Sequence, residues 1–385
     1  MVYIAADLDF ADPAFGDPRL FIRSLHDKFG TGEGTVIIDE FQNIPLAGLF
    51  LKTIHDSEKG QFRFIVSGSS SLELTKNAEF LTGRKMEFLV LSFSFREFVR
   101  VSTPDIPDGR MDVQDKKYVS GYFSLYGGRL KALYADYLHI GGYPDLVLSP
   151  ADARLPLLQE LISTYLHKDV AGFLRVENII AFNNLIRLLA SRIGSQVNRS
   201  ELSSTLRLNQ ETLNRYLDII QGTYVAALVA PWYTNPRKEI SKMPKVYLSD
   251  PAFARTGGIA VPRNYGLLDG HRVENAVYLS LLSHYPSEAI KYYRTASGSE
   301  VDFIVETGNG ILPLGVKFTG TKSTEPLAMR NFKEKYTQAL SGVIITKDHL
   351  DLPDEANLPL MIPAFMLDFI DPEGFSQPGA ILRPE

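Results

Sequence analysis

The segment Thr35-Val-Ile-Ile-Asp-Glu-Phe-Gln-Asn-Ile-Pro45 constrains this chain most. Four strand-forming residues run straight into two carboxylates, Asp39 and Glu40. An apolar run without alternation suits a strand buried on both faces, the usual state in a parallel sheet. Such a strand delivers both carboxylates to its C-terminal edge. That is the form of a Walker B motif, in which the first carboxylate holds Mg²⁺ through water and the second orients and polarises the attacking water. Its usual partner is a phosphate loop, G-x-x-x-x-G-K-[ST]. The 385 residues contain no Gly-Lys dipeptide. Half of a nucleotide site is legible, and the half that grips the phosphates is not.

Strand and helix patterns alternate from residue 1 to about 100, which indicates a parallel α/β sheet. Val2–Ala5, Thr35–Ile38, Arg63–Ser67 and Leu89–Phe93 read as strands. Pro18–Phe29, Leu46–His55 and a segment from Ser94 read as helices. The chain opens as a strand, so an earlier strand and helix of the same sheet are expected in front of it. Exposed apolar surface at Val2-Tyr-Ile4, with self-association, is a corollary. Residues 101–128 read as a loop, and Leu130–Ile140 as a helix stopped by Gly141-Gly-Tyr-Pro144. A helical stretch follows from Ala153 to Leu189. Ser200 is expected to cap a short helix, Glu201–Leu206, followed by a second helix, Gln210–Gln221, and a strand, Tyr224–Val229. Helix, turn, helix and strand make a winged-helix pattern. Beyond Lys245 the chain is α/β again, with a helix at Val273–Ser283 and strands at Ala289–Arg294, Glu300–Glu306, Ile311–Phe318 and Gly342–Thr346. A last helix is expected at Met329–Leu340. The expected divisions are 1–105 (nucleotide-binding), 106–165 (connector), 166–245 (winged helix) and 246–385 (α/β).

Further residues add to the nucleotide reading. Ser67-Gly-Ser69 puts small hydroxyls at the end of the next strand, where they would meet a γ-phosphate or the lytic water. Arg84, in Leu81-Thr-Gly-Arg84, is placed to reach a phosphate in its own or a neighbouring subunit. These motifs occur in order with Leu91-Ser-Phe-Ser-Phe-Arg-Glu-Phe98, Gly141-Gly-Tyr-Pro144 and Tyr165-Leu-His-Lys-Asp-Val170. The ordered set resembles the prokaryotic AAA-type ATPases that carry a C-terminal domain of unknown function, over nearly the whole chain. The resemblance implies ATP and Mg²⁺ as cofactors and Asp39 and Glu40 as the Walker B pair. It further implies Ser69 or Ser67 in the sensor region and Arg84 as a phosphate-sensing arginine. The family's Walker A segment would lie just before residue 1. Either the start lies further upstream, giving a Mg-ATPase switch, or the site is incomplete and function resides in the C-terminal parts.

The C-terminal part resembles the core of PD-(D/E)xK nucleases, with Glu274 on a helix, Asp302 in a strand and Lys317 ending the next strand. In that family three carboxylates hold metal and the lysine positions water. Here Gly315 replaces the third carboxylate, which points to a nuclease-like fold used for docking, with Asp302 and Lys317 as an ion pair. In the helical pair, Asn209, Gln210, Asn214 and Arg215 offer base or phosphate contacts. Glu211 and Asp218 oppose a polyanion, so DNA and protein partners both stay open.

Composition removes other classes. There is no cysteine, which excludes disulfides, thiolate zinc sites and cysteine nucleophiles. The net charge of −5 gives no global basic footprint for nucleic acid. No apolar run reaches the roughly 20 residues of a membrane span, and the N-terminus has no basic signal-peptide region. A cytoplasmic protein is expected. The seven histidines show no close metal-ligand spacing. Trp232 and Tyr233 read as packing residues.

Overall fold

The run expected as a strand at Thr35–Ile38 is β2 (Gly34–Asp39), the middle of a three-stranded sheet with β1 (Val2–Ala5) and β3 (Phe62–Val66). Both pairings are parallel, with Ala5 opposite Asp39 and Ile38 opposite Val66. Parallel neighbours need a crossover, supplied by helices α1 (Pro18–Phe29) and α2 (Ala47–Ser57). Asp17 caps α1, accepting the Arg19 N–H, and Pro18 takes the first helical position, where its missing N–H costs nothing. Val36 and Ile38 pack with Phe21, Leu25, Phe50 and Ile54 from the two helices.

This computed structural model describes all residues except 9–11, 59, 69–85, 165–175, 236, 238, 240–241, 259–260, 319–323, 356 and 377–385. Residues 1–90 with 218–224 form one unit, and residues 91–217 with 225–385 form another. No helix among the described residues is long and apolar enough to cross a membrane.

Several boundaries differ from those expected. No strand forms at Leu89–Phe93. Instead, the Phe93 N–H donates to the Gly142 carbonyl at 2.8 Å, so its backbone serves a remote turn rather than a sheet. The helix expected from Leu130 begins at Lys116 and runs to Ile140, inside the segment read as a loop. Gly121 and Gly128 are tolerated there because Val119, Tyr122, Leu130, Tyr134 and Tyr137 bury a continuous face, and packing outweighs propensity. The cap of the short helix is Asn198, not Ser200. Its side chain accepts the N–H groups of Ser200 and Glu201, and the helix runs Arg199–Leu206. The helix Gln210–Gly222 follows, and then β4 (Ala226–Val229) pairs antiparallel with β5 (Lys245–Leu248). The strand starts after Tyr224 because that residue is left-handed, with φ 55°.

The C-terminal sheet has five strands in the order β10-β9-β8-β7-β6. Here β6 is Ile290–Arg294, β7 Glu300–Thr307, β8 Gly310–Lys317, β9 Val343–Thr346 and β10 Leu360–Pro363. The first three pair antiparallel, and β8, β9 and β10 are parallel. The strand β10 was not expected, and the helix expected over Met329–Leu340 spans only Leu327–Lys335. Trp232 packs edge-on against Phe332 and Tyr336, and its indole N–H donates to Glu306 at 3.0 Å.

Gly141-Gly142 wraps a buried carboxylate. Asp250 accepts the Gly142 N–H at 2.8 Å and the Ala252 N–H at 2.7 Å. Burial raises its pKa to about 6, despite hydrogen bonds from Ser92, Ala252 and Gly142 that pull the other way. An acid that holds its proton more tightly when folded stabilises the fold below its unfolded pKa and loses that contribution as pH rises through the folded value. Lowering the pH from 7.5 to 5.5 should therefore raise the stability of wild type relative to Asp250→Asn by about 1 kcal/mol. Paired urea titrations at the two pH values measure this difference, and no difference between them would mean that Asp250 stays ionised over this range.

Candidate functional site

The N-terminal site is built at the C-terminal edge of the parallel sheet, where strand ends leave backbone and side chains unpaired. Asp39 is the last residue of β2. Ser67, just past β3, donates its hydroxyl to Asp39 Oδ1. Tyr3 of β1 donates to Asp39 Oδ2 at 2.7 Å, and the Glu40 N–H donates to Oδ1 at 3.2 Å. The bonds from Ser67 and Tyr3 favour the ionised carboxylate and lower its pKa, and the same bond raises that of Tyr3.

Glu40 has φ 51°, a left-handed backbone that costs a non-glycine residue about 1–2 kcal/mol. It is held there by Asn43, whose Nδ2 donates to the Glu40 carbonyl at 2.9 Å, and by the Phe41 N–H on the Ser67 carbonyl at 2.9 Å. Gln42 donates to the Glu40 carboxylate and fixes its orientation. The left-handed turn thus keeps two consecutive carboxylates at one strand end, each on its own set of donors.

The donor set fits the acidic side of a Mg-nucleotide site. Hard carboxylate oxygen suits Mg²⁺. Three donors reach Asp39, which leaves capacity for a metal-bound water among its roughly four acceptor positions. Ser69, Arg84 and the Tyr165–Val170 motif lie outside the described residues. Tyr3 was not foreseen, because its reach depends on the β1–β2 register.

The second unit gathers charge around a residue that sequence reasoning missed. Glu274 lies on the helix Gly270–Leu282, Asp302 on β7 and Lys317 at the end of β8. Lys317 stands 4.0 Å from Asp302, which also accepts the Val316 N–H at 2.7 Å. Glu274 instead meets Lys245 of β5, whose Nζ lies 2.9 Å from Glu274 and 2.5 Å from Glu300. Tyr247 donates to the same Glu274 oxygen at 2.6 Å. Burial pushes the pKa of Glu274 and of Asp302 up. Burial also works against a charged Lys245, but Glu274, Glu300 and Asp302 outweigh it and leave the amine raised. Glu274 Oε1 thus accepts from both Lys245 and Tyr247. At position 315 an added Cβ would lie 3.3 Å from the buried Met329 methyl, so a side chain there would press on Met329.

In the helical pair, Leu213, Tyr216 and Leu217 are buried, and Asn209, Gln210 and Arg215 are exposed. Asn209 already caps its helix on the Thr212 N–H at 2.7 Å, and Arg215 lies 5.7 Å from the Tyr216 ring. Asn214 is half-buried, with its Oδ1 enclosed.

Comparisons with known proteins follow this division. Residues 2–99 match an AAA domain. Residues 131–257 match a domain of unknown function (DUF8612), and residues 269–365 another (DUF4143). These matches support an AAA-type ATPase family with a C-terminal domain of unknown function. An uncharacterized protein of Haemophilus influenzae is 23% identical over 72% of this chain and 64% of its own length. One of Mycobacterium tuberculosis is 26% identical over 80% of this chain and 62% of its own, and one of Methanocaldococcus jannaschii 22% over 70% and 58%. The chain thus spans 58–64% of the length of these relatives. No solved structure matches.

Proposed function

We propose that the N-terminal unit is the acidic half of an ATP site. The observation that carries this reading is Asp39-Glu40 at the end of the middle parallel strand, with Ser67 of the neighbouring strand end bonded to Asp39. Asp39 would hold hydrated Mg²⁺, which neutralises phosphate charge, and Glu40 would orient and polarise the water that attacks the γ-phosphate. Ser67 or Ser69 would sense that phosphate, and Arg84 would add positive charge to it. In a polypeptide that also supplies a phosphate loop, the site acts as a nucleotide-dependent switch. The winged-helix-like and nuclease-like parts would then pass its state to a protein or DNA partner.

The gripping half sets the affinity. A phosphate loop makes several charge-assisted hydrogen bonds worth about 1.5–3 kcal/mol each. Without three of them, a micromolar site, worth roughly 8 kcal/mol, weakens to about millimolar or worse. The 385-residue chain is therefore expected to show no micromolar Mg-ATP binding in calorimetry and no turnover. The same chain extended upstream in frame should bind, and its hydrolysis should fall at least about 100-fold in Glu40→Gln. Mg²⁺-dependent hydrolysis by the 385 residues that Asp39→Asn abolishes would refute the proposal.

A second reading, a non-catalytic binding module for DNA or protein, is favoured by the cations already seated on Glu274, Glu300 and Asp302. It holds if the extended chain also fails to bind ATP while the C-terminal unit retains duplex DNA with an affinity that falls steeply with salt.

A further inference from the structure

We propose that Lys245 is a tethered cation that takes the place of a divalent metal at the centre of the C-terminal carboxylates, so that this cluster is permanently neutralised and binds no metal ion. The inference is independent of the nucleotide reading. Glu274, Glu300 and Asp302 come from one helix and one strand, and all three act electrostatically on Lys245. Lys245 is 2% exposed. Its Nζ lies 2.9 Å from Glu274, 2.5 Å from Glu300 and 5.5 Å from the centre of the Tyr292 ring. An ammonium has three donors and no acceptor, so carboxylates account for two of them and the ring lies within cation–π reach.

Further donors hold Glu300 through both oxygens and Glu274 and Asp302 through one oxygen each. Tyr247 occupies the Glu274 oxygen that Lys245 uses, Arg294 holds Glu300 at 2.9 Å, and Lys317 with the Val316 N–H covers Asp302. Among the described residues, no group of three or more His, Asp or Glu is arranged to hold a metal ion. A soluble cation would have to displace one that cannot diffuse away, because β5 is paired along its length with β4. A divalent ion entering beside Lys245 would add like charge to a buried site and strip its own hydration shell, which Mg²⁺ gives up reluctantly.

Mn²⁺ titration followed by electron paramagnetic resonance tests this on the full 385-residue chain. Asp39→Asn is present throughout, to remove the N-terminal carboxylate from the count. With Lys245 in place, Mn²⁺ uptake should be the same with and without Glu274→Gln. Lys245→Ala should add one saturable Mn²⁺ per chain, lost again in Lys245→Ala/Glu274→Gln, whereas Lys245→Arg should add none. Cluster-dependent uptake by the chain that retains Lys245 overturns the proposal, and so does a folded Lys245→Ala protein with no added Mn²⁺. If Lys245→Ala fails to fold, the Glu274→Gln comparison in the chain that retains Lys245 decides.

Discussion

Replacing Lys245 by methionine is expected to destabilise the second unit by about 3–5 kcal/mol, the usual loss when one partner of a buried ion pair is removed. Methionine has similar length and is apolar, so little packing is lost. What remains is Glu274 and Glu300 without their shared cation, and Asp302 nearby. The carboxylates would have to take up protons or draw in water, and either response opens the joint between β5, β7 and the helix Gly270–Leu282. Trp232 is the sole tryptophan, and it is buried in this unit. Its fluorescence therefore follows the relevant transition in urea. Adding Glu274→Gln to Lys245→Met should return a good part of the loss, because it removes one of the uncompensated charges. This non-additivity is the mark of direct coupling. A loss under about 1 kcal/mol, the range of solvent-exposed pairs, would mean that Lys245 is hydrated and the cluster open.

Lys245 also shows where sequence reading stops. It opens a short strand, Lys-Val-Tyr-Leu, just after Pro244, where a lysine normally reads as a solvated strand end. Only the alternation with Tyr247 hints that it points inward, and alternation does not reveal three carboxylates arriving from elements 29 or more positions away. The same limit hid Tyr3, whose bond to Asp39 follows from the β1–β2 register. By contrast, Asp39-Glu40 was legible because strand, carboxylates and turn are consecutive. The helix Pro18–Phe29 was legible because its capping Asp, first-turn Pro and closing Gly are all local. Asn198 could have been found: Glu201 follows it by three, the spacing of a capping box, whereas no Glu or Gln follows Ser200 at that distance. The helix start at Lys116 was obscured by three glycines, two exposed and Gly127 buried, whose cost is offset by the helix's buried face. Leu89–Phe93 has strand composition, but its backbone partner is a turn about fifty residues away.

That turn gives the second large expected effect. Gly142→Ala should destabilise the second unit by on the order of 3 kcal/mol or more, through a clash that cannot be relieved by side-chain motion. A Cβ at Gly142 would lie 2.3 Å from the Phe93 carbonyl oxygen and 3.1 Å from its nitrogen. Both are backbone atoms, and Phe93 cannot retreat without breaking its bond to the Gly142 carbonyl. The N–H of Gly142 is equally committed, to Asp250 Oδ2 at 2.8 Å. Moving either side therefore strips a hydrogen-bond donor from a buried carboxyl or frees a backbone group next to Ser94, which starts the capping box of the helix Phe95–Ser102. Gly128→Ala is the control. It lies exposed inside the helix Lys116–Ile140 with nothing within 4 Å of an added Cβ, so it should gain about 0.5–1 kcal/mol from reduced backbone freedom. Opposite signs for two identical substitutions, fourteen residues apart, would tie Gly142 to the close approach of Phe93. A Gly142→Ala protein as stable as wild type would mean that Gly141-Gly-Tyr-Pro144 only ends a helix, and that Phe93 and Asp250 are anchored by other means.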